Sequence, residues 1–270
     1  MKKHIGKCAL CRNESELSFE HIPPRSSFNS TPAKPVSGDK ILFDDDRMPW
    51  EIEGLPYTNQ QKGMGKYSLC ESCNNLTGTW YGEDYKLISH SIYNFFQGPI
   101  DPVINGIAIR DVYPLRFIKQ VISMFCSINN TDDKRLEPLR KFVLNKEKIG
   151  LDKNKYKICM YFTKSKMIKY VPLTAILRLG KETSNSIALS EITAYPLGFI
   201  LYFDPISSWE YEGVDITSFA DCKYDDKATI QMPLCIKEVN DIFPEHYRSK
   251  EEIIECVENN KKFGKRINNS

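Results

Sequence analysis

The chain has 270 residues, 41% hydrophobic and 27% charged, with a net charge of +2. This describes an ordinary soluble globular protein, long enough for one large domain or two. No stretch approaches the roughly 20 apolar residues of a helical membrane span, and the near-balanced charge excludes a broadly basic surface, so any nucleic-acid face has to be local.

Met1-Lys2-Lys3-His4 opens the chain without an apolar run, so no secretory signal is expected. Cys8-Ala9-Leu10-Cys11 follows, then a short strand, Glu16-Leu17-Ser18-Phe19, that ends at Glu20-His21. Pro23-Pro24 stops this strand and forces an extended exit. Residues 26 to 61 are rich in Pro, Ser, Gly and Asp and read as one long loop. Loops beyond about 15 residues tend to be functional or mobile. Lys66-Tyr67-Ser68-Leu69 is a second short strand, running into Cys70-Glu71-Ser72-Cys73. Asn74-Asn75 then caps a helix from about Leu76 to Phe96. Strand, knuckle, strand, knuckle and helix make the order of a treble-clef or ββα zinc fold.

Past residue 105 the pattern changes. Leu115, Ile118, Val121, Ile122 and Phe125 have helical spacing and predict a helix over Tyr113 to Ile128. Asp132 to Asn145 continues as a second helix. Tyr156 to Phe162, Tyr170 to Leu179, Ile187 to Tyr195, Leu197 to Phe203 and Ala228 to Ile236 are rich in β-branched and aromatic residues and read as strands. Ser249 and Glu252 form a capping box for a closing helix that runs to Phe263. The sum is an α+β protein in two parts, a zinc-stabilised module over 1–97 and an α+β domain over 105–270. The second part matches no known pattern; substrate binding, oligomerisation and partner docking are its open roles. There is no internal repeat.

The chemistry concentrates in the first part. Two Cys-x-x-Cys knuckles supply four thiolates, a complete tetrahedral shell for one structural Zn²⁺. Four sulfurs leave no position for water, so that ion holds the fold and does no chemistry. The other five cysteines, Cys126, Cys159, Cys222, Cys235 and Cys256, read as plain thiols. An odd total of nine argues against a disulfide framework and for a reducing cytoplasm. Glu20 is a hard-cation ligand type, and neutral His21 can take a proton from water near neutral pH. Side by side, they are the parts of a one-metal phosphodiesterase. His4, His90 and His246 read as packing or surface residues. Asp44-Asp45-Asp46 reads as a solvated acidic turn, and the basic clusters Lys2, Lys3, Lys7 and Lys261, Lys262, Lys265, Arg266 read as solvated termini. Trp50, Tyr57, Tyr67, Trp80 and Tyr81 read first as packing for the zinc module and second as stacking partners for bases. There is no phosphate-binding Gly-x-x-x-x-Gly-Lys-Ser loop and no Gly-x-Ser-x-Gly elbow.

Over residues 8 to about 80 the sequence resembles the HNH endonuclease family in its ββα-metal form with paired zinc knuckles. The resemblance is carried by Cys8-x-x-Cys11, Glu20-His21-Ile22-Pro23-Pro24, Cys70-x-x-Cys73 and Asn74-Asn75-Leu76-Thr77-Gly78. It implies a divalent-metal-dependent endonuclease acting on nucleic acid, DNA first. It casts His21 as general base, Glu20 and Asn74 as ligands of a catalytic Mg²⁺ or Mn²⁺, and Asn75 as the neighbour that shares Asn74's place. Two positions depart from the family pattern. Gly65-Lys66 stands where the middle asparagine is expected, with Asn59 as its substitute from the loop, and the last position is Asn rather than His. The loop between His21 and Cys70 is also long, which points to an inserted element near the substrate. By analogy with the family, a role in phage defence or a mobile element is implied, with a homodimer or a partner protein from the same locus, and no membrane. The alternative is a catalytically inactive zinc module that binds nucleic acid or protein.

Overall fold

The computed structural model describes residues 3–42, 47–99, 103–179 and 184–267; Lys2 and Asp44-Asp45-Asp46 lie outside them. The chain is α+β. Strands β1 (Ile5–Lys7), β2 (Glu14–His21) and β3 (Gly65–Cys70) form an antiparallel three-stranded sheet in that order. Helix α1 (Asp39–Leu42) interrupts the long loop, which otherwise folds back on itself through bridges Ala33↔Gln60 and Val36↔Tyr57. Helix α2 (Glu71–Gln97) leaves β3 without a break. It therefore starts five residues before the predicted Leu76, and Asn74 and Asn75 lie inside its first turn rather than ahead of it.

Strand β4 (Gly106–Val112) pairs far along the chain with β10 (Ala228–Pro233) in a two-stranded ribbon. Helix α3 (Pro114–Ile128) follows, with Pro at the first position, where its missing N–H costs nothing. The predicted helix over 132–145 divides into a 3₁₀ turn at Lys134–Leu136 and α4 (Glu137–Val143), because Pro138 suits only a helix start. Strands β5 (Tyr156–Phe162), β6 (Lys169–Leu179), β7 (Ser184–Ala194), β8 (Leu197–Phe203) and β9 (Val214–Asp215) build an antiparallel sheet in the order β6-β7-β8-β5-β9. Helix α5 (Lys250–Ile267) closes the described chain, and the expected capping box is present: Ser249 N–H donates to Glu252 at 2.7 Å and Glu252 N–H to Ser249 Oγ at 3.2 Å.

Every residue of α3 except Arg116 is buried. A helix covered on all sides has to be a central element. One side meets α2, where Tyr85 stacks on Phe117 at 5.8 Å; the other meets the large sheet, where Phe117 packs on Phe199 at 5.9 Å. The buried charge on this helix is accommodated locally: Lys119 Nζ caps the carbonyls of Asn145 and Lys146 and lies over the Phe142 ring. The outer face of the sheet buries charge as well. Glu191, fully buried, pairs with Lys169 at 3.2 Å and accepts from Tyr161 at 2.6 Å, while Glu245 N–H reaches its second oxygen at 3.1 Å. Glu245 in turn accepts from Tyr202 and Trp209 and pairs with Arg178. This network fixes the segment before α5 to the sheet, and His246 sits in it between Asp241 and Arg248.

The hydrophobic core is continuous from the first knuckle to β8; Cys8, Leu10, Tyr81, Phe117, Leu139 and Phe199 belong to one cluster. Polar contacts follow the same path. Arg140, 1% exposed, donates to Ala9 O at 2.9 Å, Thr131 O at 2.7 Å and Asp133 O at 3.1 Å. Asp132 pairs with Lys7 at 2.6 Å and Arg12 at 2.9 Å. Tyr81 OH donates to Val143 O at 2.6 Å, and Tyr170 OH to Ile22 O. The boundary near residue 100 thus divides the sequence but not the core. Residues 105–270 expressed alone are expected to aggregate, because removing α2 uncovers Phe117 and its neighbours at about 1.5–3 kcal/mol per large apolar side chain. Size exclusion and near-ultraviolet circular dichroism check this, and a monomeric, well-packed fragment would refute it.

Candidate active site

The four knuckle cysteines converge. Cys8 and Cys11 lie in the turn between β1 and β2, Cys70 ends β3, and Cys73 lies in the first turn of α2. All four sulfurs stand within 4.8 Å of one another, and Cys11 and Cys70 Sγ are 3.8 Å apart. A tetrahedron with Zn–S bonds of about 2.3 Å has edges of about 3.8 Å, so the cluster has the dimensions to hold a metal such as zinc. Cys70 N–H donates to Cys8 Sγ at 3.3 Å. Contact with Cys73 and these backbone donors push Cys8 down to about 4, against the effect of burial. The hydrogen bond with Cys8, then burial, then the Cys8 charge hold Cys73 above the ordinary thiol value. A bound cation favours the thiolate form of its sulfur ligands.

Strand β2 carries the other candidates past this cluster. Leu17 pairs with Cys70, and farther along the ladder Glu20 faces Lys66 and His21 faces Gly65. The extra residue of the intervening bulge is on β3, so β2 alternates without interruption. Ser18 points to α2, where Asn74 Nδ2 donates to its hydroxyl at 3.0 Å and reaches Phe19 O at 3.4 Å. Glu20 follows on that side. It is 5% exposed and forms no hydrogen bond or ion pair among the described residues. Burial alone pushes its carboxyl up to about 8.

His21 is on the opposite face with Phe19, whose ring meets it edge-on at 5.1 Å. Its Nε2 lies 3.0 Å from Lys62 O. A carbonyl only accepts, so Nε2 carries the proton and Nδ1 keeps a free lone pair. Burial, then the charges of Arg25 and Lys62, lower its proton affinity, against the raising effect of the Lys62 carbonyl. The imidazole is therefore neutral, and able to accept a proton, at neutral pH.

The structure thus brings Glu20 and Asn74 to one side of β2 and His21 to the other, all near the C-terminal end of the strand. Asn75 is exposed, on another side of α2. Asn59 is exposed too and accepts from Gln61 at 2.9 Å, away from the strand pair. The amide that joins the strand ends is Asn29: buried, it donates to Pro23 O and Met64 O and accepts from Met64 N–H, each at 2.7 Å. Gln60 makes a matching pair with Gly65, at 2.9 and 3.0 Å. Gly65 itself is required by contact, since a Cβ there would stand 2.1 Å from Glu20 O and 2.8 Å from the Phe19 ring. Nothing in the sequence near Asn29 marks it; the signal is its position after a Pro pair, legible only once Met64 is seen beside it.

Of the other aromatics, Tyr81 is core and Trp80 packs beside it at 5.9 Å. Tyr57 lies under Lys34 and Trp50 under Lys250. Tyr67 alone shares the face of His21, with His4 stacked on it at 3.6 Å. His90 is bonded to Ser26 O at 2.8 Å and stacked on Phe28. No helix among the described residues is long and apolar enough to cross a membrane. Neither a family model, a curated protein nor a solved structure matches the chain.

The raised Glu20 carboxyl has a measurable sign. An acid whose folded value exceeds its unfolded one stabilises the fold fully below the ordinary value of 4.5, and that contribution is lost as pH rises to about 8. Without added divalent ions, stability is expected to fall between pH 6 and 8 by on the order of a few kcal/mol, and Tm with it. Glu20→Gln should flatten this slope. Thermal melts across that range check it, and an unchanged slope in the variant would assign the effect elsewhere.

Proposed function

We propose that the β2–β3–α2 unit is a treble-clef, ββα-metal module of the HNH type and that the protein is an endonuclease that hydrolyses phosphodiester bonds in DNA. The knuckles hold structural Zn²⁺; Glu20 and the free Oδ1 of Asn74 hold a catalytic Mg²⁺ or Mn²⁺. The observation that carries the reading is Glu20: a buried carboxyl with no hydrogen-bond or ion-pair partner among the described residues, beside a histidine whose tautomer leaves a basic nitrogen. Burying a lone carboxylate is costly, and a cation at that position removes the cost.

The chemistry divides among few groups. His21 takes the proton of the attacking water on Nδ1, while the Lys62 carbonyl fixes the ring and favours the imidazolium that forms. A divalent ion bound at Glu20 supplies charge neutralisation at the phosphate and the leaving oxygen. Because His21 and Glu20 lie on opposite faces, the scissile phosphate has to cross the end of β2. Asn29, Gln60 and Gly65 keep that end closed and in register. The test is incubation of the purified protein with plasmid, single-stranded DNA and RNA in Mg²⁺ or Mn²⁺. Metal-dependent cleavage of DNA is expected; no cleavage of any substrate would leave a silent zinc module.

A further inference from the structure

The outer face of the β1–β2–β3 sheet carries a run of rings that ends at His21. His4 lies flat on Tyr67, centroids 3.6 Å apart and planes within 11°. Tyr67 meets Phe19 at 5.3 Å, and Phe19 meets His21 at 5.1 Å. Packing alone does not account for this arrangement, because Tyr67 stays 45% exposed beside these rings. Charge adds a second, independent pointer. The other cations of this region are engaged: Lys3 with Glu16, Lys7 and Arg12 with Asp132, Lys66 with Ile128 O. Arg25 and Lys62 are exposed, form no ion pair among the described residues, and act together on the His21 ring.

We propose that this face is a track for an unpaired DNA strand, held by base stacking on Tyr67 and His4, with Arg25 and Lys62 taking the phosphate presented to His21. The inference rests on the nuclease reading above and names its substrate class. The physics favours a single strand over a duplex. Within a duplex both faces of a base are covered by its neighbours, whereas an unpaired base offers a free face to an exposed ring. The modest net charge fits as well, since a short stacking platform needs fewer phosphate contacts than a duplex groove does.

The experiment is fluorescence anisotropy on the full-length, zinc-replete protein without added catalytic metal. The probes are a labelled oligo-dT and a mixed-sequence duplex of equal length. Oligo-dT is expected to bind more tightly than the duplex. Tyr67→Ala should weaken it about 5–150-fold, the effect of losing one stacked base, and Tyr67→Phe should bind like wild type. Arg25→Gln should lower the slope of log affinity against log salt by about 0.7. Tighter duplex binding, no binding of either probe, or oligo-dT affinity unchanged in Tyr67→Ala overturns the track. A cleavage assay with added Mn²⁺ separates the two readings. If oligo-dT binds through Tyr67 but is never cut, the track stands and hydrolysis falls. If wild type and Tyr67→Ala cut DNA equally, hydrolysis stands and the track falls.

Discussion

Cys70→Ser is expected to release zinc and unfold residues 1–97, and to loosen α3 and α4 with them. A structural zinc of this kind contributes about 10–16 kcal/mol, comparable to or above the total stability of a typical domain at about 5–15 kcal/mol. A chain whose four cysteines hold such an ion cannot lose it and stay folded. The loss should also spread. Cys70 ends β3, and β3 holds β2, which carries Glu20 and His21; the knuckle facing it offers Ala9 O to Arg140 on α4. With that carbonyl gone, a fully buried guanidinium loses part of its hydrogen bonding, which is expensive in a dry site. Zinc content by mass spectrometry and far- and near-ultraviolet circular dichroism check the result. A zinc-free variant with native spectra would remove the structural role of the cluster.

His21→Ala is expected to lower DNA cleavage about 10²–10⁴-fold, the usual cost of losing a general base, while zinc content and fold stay intact. The side chain is half-buried at the end of a strand, bonded to Lys62 O and not part of the four-cysteine cluster, so its removal leaves the cluster undisturbed. Glu20→Gln should lose activity by a different route, through weaker metal binding. High Mn²⁺ should then partly rescue Glu20→Gln and leave His21→Ala inactive. Asn74→Ala should follow Glu20→Gln, and Asn75→Ala should be mild, since Asn75 is exposed away from the strand. Metal titrations of plasmid cleavage by the four variants decide the assignment. Full activity in His21→Ala would end the proposed mechanism.

Much of this was legible in the sequence because it rests on spacing. Two Cys-x-x-Cys pairs bring four sulfurs together whatever the intervening loop does, and the apolar strands over 156–162 and 197–203 occupy the residues that their patterns indicate. What stayed illegible depends on distant partners. Strand β4 pairs with a strand more than a hundred residues on, and β1 is three residues long, too short to leave a pattern. Asn74 and Asn75 carry the chemistry of caps, but the helix already starts at Glu71, with Cys73 one turn past Cys70 in the four-sulfur cluster. The buried Lys169–Glu191 pair likewise breaks the rule that charges lie outside, and only the three-dimensional neighbours that satisfy it make it understandable.

The long connection between β2 and β3 has a practical corollary. Residues 51–54 and 56–59 are exposed, where a protease would cut first. A nick there would leave Cys8 and Cys11 on one polypeptide and Cys70 and Cys73 on the other. The two pieces would remain joined by the shared ion and by the β2–β3 ladder, and a chelator would set them apart. The same break, introduced at the level of the gene, would turn the chain into a pair of fragments whose reassembly is governed by zinc.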